Sequence, residues 1–264
     1  MTTMRQLPRR LRCASMTLPR LYDELAEYWP LLSPPADHAD EAAWIDRVLQ
    51  DRLGPASSSA RPCILELGSG AGHTLTHLVD RYEIVATDIS PPMLAQSRKI
   101  NPTVEHHTAD MCTFRLDRQF DAVLATESID YIKTQSNLRS VFTTAAIHLR
   151  PGGLFLVAPT YTRETYVNHQ AEHDHRMDSQ AEVTFVSYVR HEPTSTTFEL
   201  IMLLLIKEHG RMRIEQDRHT CGLFAQSTWH RLLAEAGFDV EKHAHESNEG
   251  DPLPSDMFVA MKRR

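Results

Sequence analysis

Between positions 64 and 73 the chain reads Ile64-Leu65-Glu66-Leu67-Gly68-Ser69-Gly70-Ala71-Gly72-His73. An apolar run that ends in alternating glycines is a strand turning sharply into the next element, where backbone can come very close to a ligand. The glycine pattern selects among ligands. A dinucleotide fingerprint requires glycine at the sixth position of G-x-G-x-x-G, and His73 stands there. The pattern present is G-x-G-x-G behind an acidic residue, Glu66. With no pyrophosphate to cradle, that carboxylate suits a cationic aminoacyl group. Asp88, twenty positions after Gly68, ends the next apolar run, where an acidic side chain can accept hydrogen bonds from both ribose hydroxyls. Asp110-Met111 closes a third run and suits the amino group and ring of an adenine.

Such positions need a sheet to hold them at one edge. From Pro62 onward, apolar runs of strand length alternate with helical patterns. Strands are expected at 63–67, 84–87, 104–106, 120–125 and 154–158, with helices at 73–80, 91–99 and 138–149. This rhythm predicts a parallel sheet covered by helices on both faces. Between 160 and 220 the rhythm changes to three β-type runs, 183–190, 197–207 and 211–217, the last two meeting at a His209-Gly210 turn. That stretch predicts an antiparallel insert, which walls a pocket or pairs with a second subunit to make a homodimer. A helix at 226–236 capped by Gly237 and strands at 240–243 and 257–261 complete the pattern. Ahead of the sheet, 21–29 and 40–53 show helical spacing, the first stopped by Pro30.

ILELGSGAG, VATDIS, HTADM, FDAVLATE and HLRPGGLFLVAP resemble, in that order, the motifs of class I S-adenosylmethionine-dependent methyltransferases. The resemblance implies an α/β fold: a seven-stranded, mostly parallel sheet with helices on both faces, its last strand inserted antiparallel. It implies S-adenosylmethionine as cofactor and S-adenosylhomocysteine as product. Glu66 and the loop of Gly68, Ser69, Gly70 and Gly72 would meet the methionine moiety. Asp88 and the adjoining Ile89 would meet the ribose, Asp110 and Met111 the adenine, and Thr126 would lie beneath the methionine end. At a finer level, ESIDYIKTQSNLRSVF, the β insert and GLFAQSTWHRLLAEAGF are similar to bacterial amino-sugar N,N-dimethyltransferases and their small-molecule relatives. Those enzymes place an N-terminal helix over the cofactor, here 21–29, so that Tyr22 or Tyr28 would face the methyl group. Their sugar-binding residues do not map, and no sugar is carried over.

Methyl transfer from a sulfonium asks chiefly for orientation. A neutral amine acceptor needs no strong base, whereas a hydroxyl benefits from one within hydrogen-bond reach. Glu127 and Asp130, after the fourth strand, and His219, before the last long helix, are the candidate bases, with Tyr22 a further catalytic candidate. The expected activity is methylation of a small-molecule amine. The alternatives are an O-methyltransferase using a His or carboxylate base and a non-catalytic S-adenosylmethionine-binding protein.

The net charge of −7 over 264 residues disfavours a nucleic-acid partner, which calls for a basic face. No apolar run reaches the ~20 residues of a membrane helix. Four scattered cysteines without a C-x-x-C pair read as reduced thiols in a cytoplasmic protein. His169, His173 and His175 have metal-like spacing, but their polar surroundings predict a solvated loop and no metal. Residues 1–15 read as a basic, flexible leader, with Met16 an alternative start. One methyltransferase domain is expected over 16–264, with 16–60 as helical lid and linker and 160–220 as the insert.

Overall fold

The computed structural model describes residues 18–54, 61–245 and 255–264; the proposed leader, and Met16 with it, lies outside them. In chain order the helices are α1 (Trp29–Leu32), α2 (Ala39–Leu53), α3 (Pro91–Ile100), α4 (Gln135–His148) and α5 (Gln226–Glu235). The strands of the main sheet are β1 (Cys63–Leu67), β2 (Glu83–Asp88), β3 (Glu105–Thr108), β4 (Phe120–Thr126) and β5 (Leu149–Ala158). The insert supplies β6 (Ala171–Met177), β7 (Ala181–His191), β8 (Thr197–Glu208) and β9 (Arg211–Gly222). The main sheet is completed by β10 (Phe238–His245) and β11 (Ser255–Lys262).

The main sheet has seven strands in the order β3-β2-β1-β4-β5-β11-β10. The first five run parallel, and β11 lies antiparallel to both its neighbours. Central strands read as unbroken apolar runs because both faces are covered. On one face Val123, Ala125, Phe155 and Val157 pack with Phe142 of α4 and Leu232 and Leu233 of α5. On the other, Ile64, Leu124 and Leu156 meet Ala42, Ile45 and Leu49 of α2, residues spaced to form one helical stripe. Two helices start where the sequence provides a cap. Ser90 Oγ accepts the Met93 N–H at 3.1 Å ahead of α3, and Thr134 Oγ1 accepts the Asn137 N–H at 3.1 Å ahead of α4. Each cap contributes about 1 kcal/mol. No helix among the described residues is long and apolar enough to cross a membrane.

Three expectations need correction. Residues 21–29 do not form an α-helix: two 3₁₀ turns, Arg20–Tyr22 and Ala26–Tyr28, lead into α1, with Pro30 inside its first turn. The backbone groups are spent elsewhere. Leu21 N–H goes to Asp217 Oδ2 at 2.7 Å, and the Tyr22 carbonyl accepts from Ser90 Oγ. The helical spacing still has a purpose, since Leu21, Leu25, Tyr28 and Leu32 pack on Val183, Met202, Leu204 and Ile206 of the insert. Residues 73–80 likewise form a single 3₁₀ turn, Thr74–His77, because Glu83 N–H must reach Pro62 O to start β2 in register with β1. Finally, the His169–His175 stretch is no solvated loop; most of it is β6, paired antiparallel with β7. Its polar composition is that of an edge strand.

The insert is a four-stranded antiparallel sheet, β6-β7-β8-β9. Its β8–β9 turn has His209 at φ 49° and Gly210 at φ 74°, as a two-residue turn between right-twisted strands requires.

Candidate functional site

The parallel strand order reverses between β1 and β4, the place in an open α/β sheet where ligands bind beyond the carboxyl ends of the strands. A cavity of about 1430 Å³ opens there. Its floor is the loop after β1 with the ends of β2 and β4; its roof is the N-terminal turns and the inner face of the insert, including Phe185, Leu200 and Met202.

Glu66, the penultimate residue of β1, is 4% exposed, and its Oε2 meets no protein donor. Burial, with Glu41 and Asp88 nearby, pushes its carboxyl up to about 8. A buried acid in this state is a poor structural element and a good seat for a cation, which would ionise it and pair with it. Ser69 Oγ and His73 Nδ1, also lining the cavity, are buried without a partner. Burial, followed by the charge of His38, lowers the His73 imidazole to about 4.

Gly68, Gly70 and Gly72 all have left-handed φ, at 81°, 53° and 72°. A side chain at Gly68 would overlap Ser128, and one at Gly72 would overlap Ser97. At Gly70 the nearest atom to a built Cβ is Met93 Cε at 3.5 Å, so that side of the loop is open. Asp88 closes the loop by accepting the Gly70 N–H on Oδ2 and the Ser90 N–H on Oδ1, each at 2.8 Å. Burial nevertheless raises its carboxyl. Asp110 turns the chain after β3 by accepting the Cys112 N–H at 2.8 Å. Asp110, Met111, Ile89 and Thr126 all line the cavity. In chemistry these residues fit an adenosyl group with an aminoacyl tail: carboxylate acceptors line the cavity, and one buried carboxyl oxygen, Glu66 Oε2, has no donor of its own.

The candidate bases differ in character. Glu127 is exposed and holds a left-handed φ of 46°, its N–H tied to Ala158 O at 2.9 Å. Asp130 is buried and accepts the Thr160 N–H at 3.2 Å; burial outweighs that contact and pushes it up to about 7. His219 is buried on β9 between Tyr131 and Asp217, behind the residues that line the cavity. Tyr22 lines the cavity and meets Trp29, Tyr131 and His219 edge-on, with ring centres 5.3, 5.5 and 5.3 Å apart. Tyr28 does not line it. Its hydroxyl takes a hydrogen bond from Arg213 at 2.6 Å and its ring packs under that guanidinium, which corrects the expectation that Tyr28 meets the cofactor. The sequence reading missed Tyr131, Asp217 and His38. For Asp217 a signal existed: it lies two residues before His219 on a strand, hence on the same face.

Residues 64–153 match the family model described as a methyltransferase domain. The dTDP-3-amino-3,4,6-trideoxy-α-D-glucopyranose N,N-dimethyltransferase of Streptomyces venezuelae is 30% identical over 227 residues, spanning 85% of this chain and 91% of that protein. Among solved structures, Streptomyces venezuelae DesVI superposes with a TM-score of 0.78 at 26% identity, covering 90% of this chain and 98% of its own. SAM-bound CalS10, an amino pentose methyltransferase from Micromonospora echinaspora, gives a TM-score of 0.72 at 22% identity, covering 85% and 91% of the two chains.

Proposed function

This chain belongs to the S-adenosylmethionine-dependent methyltransferases, and we propose that the acceptor it methylates is the amine nitrogen of an amino sugar. Methyl transfer to a small-molecule amine is the activity its relatives share; the sugar is inferred from what those relatives act on. The observation that carries the methyl-donor half of the reading is the buried Glu66 carboxyl, its Oε2 without a donor, beside an open glycine loop; the relatives carry the acceptor half.

Bound S-adenosylmethionine supplies a methyl group on sulfonium sulfur, already activated toward an in-line nucleophile. The protein's part is to place that nucleophile and keep water away. In our reading Glu66 holds the aminoacyl ammonium, Asp88 the ribose hydroxyls, and Asp110 and Met111 the adenine. The Gly70 face stays clear so that backbone can touch the ligand. Tyr22 and Trp29, which line the cavity and pack beside Ala71 of the loop, form an electron-rich wall suited to a cationic centre. The insert closes the acceptor side, and orientation within that enclosure supplies much of the rate.

The test begins with calorimetric titration of S-adenosylmethionine and S-adenosylhomocysteine, with NADH as control. Both sulfur ligands should bind and NADH should not. Mass spectrometry should then find +14 and +28 Da products (about one and two methylene masses, as successive methyl-for-hydrogen exchanges require) from dTDP-3-amino-3,6-dideoxy-α-D-glucopyranose. Sulfur-ligand binding without any such product would remove the amino-sugar assignment. We also propose that the outer face of the insert, where Met212 and Ile214 are 65% and 69% exposed, contacts a second copy of the chain. Light scattering should give twice the chain mass.

A further inference from the structure

Four side chains make one hydrogen-bonded line from the cavity wall into the insert. The hydroxyls of Tyr22 and Tyr131 lie 2.9 Å apart, Tyr131 Oη lies 2.7 Å from His219 Nδ1, and His219 Nε2 lies 3.0 Å from Asp217 Oδ2. The line joins three segments remote in sequence: the N-terminal turns, the turn after β4, and β9. At 1% and 5% exposure, His219 and Asp217 are closed to bulk water. Burial alone would raise Asp217, but the imidazole and the Leu21 N–H outweigh it and hold the carboxyl at about 2. In the resting line the Tyr131 O–H donates to Tyr22; a carboxylate at His219 Nε2 keeps a proton there and leaves Nδ1 free to accept once the Tyr131 hydroxyl turns toward it, which sets the direction the relay needs.

We propose that the His219–Asp217 pair receives the proton released by the methylated amine, delivered through Tyr22 and Tyr131. The proposal rests on the amine reading above. Methylating a primary amine yields a secondary ammonium, whose nitrogen has no lone pair for a second methyl until a proton leaves. The ammonium N–H bond breaks as Tyr22 Oη takes that proton. Tyr22 passes its own hydroxyl proton to Tyr131, and Tyr131 passes its own to His219 Nδ1. The amine regains its lone pair, each tyrosine keeps one proton, and an imidazolium faces the Asp217 carboxylate. No electron changes owner. The proton leaves by the reverse path when product gives way to solvent. Burial raises both tyrosine hydroxyls, so they conduct a proton without resting as phenolates. The other ionisable groups facing the line are Glu127 and Asp88 toward Tyr22, Asp130 toward Tyr131, and Cys221, which acts on both tyrosines. Asp130, pushed up to about 7 by burial, is the rival acceptor.

Tyr131→Phe cuts the line while leaving the His219–Asp217 and Asp217–Leu21 contacts in place. With S-adenosylmethionine and dTDP-3-amino-3,6-dideoxy-α-D-glucopyranose, it should leave S-adenosylhomocysteine affinity within about twofold, since general acid–base catalysis and cofactor binding are separate steps. The monomethyl product should accumulate, with the second methylation about a hundredfold slower near neutrality and recovering as pH rises toward the amine's own ionisation. An unchanged product ratio and pH profile, or the same phenotype in Asp130→Asn with Tyr131→Phe unaffected, would overturn the proposal. A second arm needs no acceptor. Nitrogen-15 NMR of the S-adenosylhomocysteine complex should find His219 protonated on Nε2, with a downfield proton that Asp217→Asn removes. A proton on Nδ1 instead would overturn the relay. Failure to bind S-adenosylhomocysteine at all would strike the methyltransferase reading, a different result.

Discussion

Under the proposed reading, Glu66 is the seat of the methyl donor's ammonium. Its carboxyl, raised to about 8 by burial, is protonated at pH 7, and a cation seated on it must expel that proton. S-adenosylmethionine affinity should therefore rise between pH 6 and pH 8, both rough bounds around the Glu66 value. Calorimetry at pH 7 in buffers of different ionisation enthalpy should show proton release, absent in Glu66→Gln. The sign for stability is opposite. A carboxyl raised in the folded state favours folding below its unfolded value and loses that contribution as pH climbs through the folded one. Glu66 and Asp130 both lie in this class. The ligand-free protein should thus melt at lower temperature at pH 8.5 than at about pH 5.5, by a smaller margin in Glu66→Gln. Asp88, beside its proposed ribose role, ties the loop through Gly70 and Ser90. Asp88→Ala should cost about 1–3 kcal/mol of stability and weaken S-adenosylmethionine at least ~10-fold, equivalent to about 1.4 kcal/mol, by denaturant melts and calorimetry respectively.

At the scale of elements, the loop between β1 and the Thr74–His77 turn separates two kinds of glycine. Gly68 and Gly72 face packed side chains, while Gly70 faces the cavity. Gly70→Ala should lose only the ~1–2 kcal/mol of a left-handed non-glycine residue and still forfeit most cofactor affinity. Gly68→Ala and Gly72→Ala should melt earlier, because they add overlap to the same strain. Thermal melts ranked against calorimetric affinities check this ordering. The elements themselves were legible in uneven degree. β1, β2 and β4 stood out because strands buried on both faces are continuous apolar runs. The 21–29 segment has true helical spacing but no helix, because its carbonyls and amides are claimed by Ser90 and Asp217. β6 read as loop because it is a polar edge strand that puts Glu172 and Arg176 on the cavity wall.

At the scale of the molecule, the N-terminal turns and the insert act as one roof. Leu21, Tyr28 and Leu32 pack on Val183 and Leu204, Leu21 N–H caps Asp217, and Tyr28 is clasped by Arg213. Elements joined by buried contacts open together. Cofactor binding should therefore slow amide exchange in residues 20–32 and in 181–187 in the same step, and hydrogen-exchange mass spectrometry should show one common protection. Protection confined to the glycine loop would mean that the roof closes independently of the cofactor.

The sequence by itself determined a parallel sheet covered by helices, a glycine turn after its first strand and acidic residues at successive strand ends, and its resemblance to known motifs added the seven strands and the class of chemistry. Those depend on local facts: which residues run apolar, where glycines permit a close backbone, and which acidic side chains end successive strands. Only the tertiary structure decided that Tyr22 belongs to the cavity and Tyr28 to the insert, for both sit in one short amphipathic stretch and differ only in what packs against them. It alone decided that Tyr131, His219 and Asp217 touch. Hydrogen bonds between residues 88 positions apart leave no periodicity in the chain; they exist because the insert folds back over the sheet and brings those groups within 3 Å of one another.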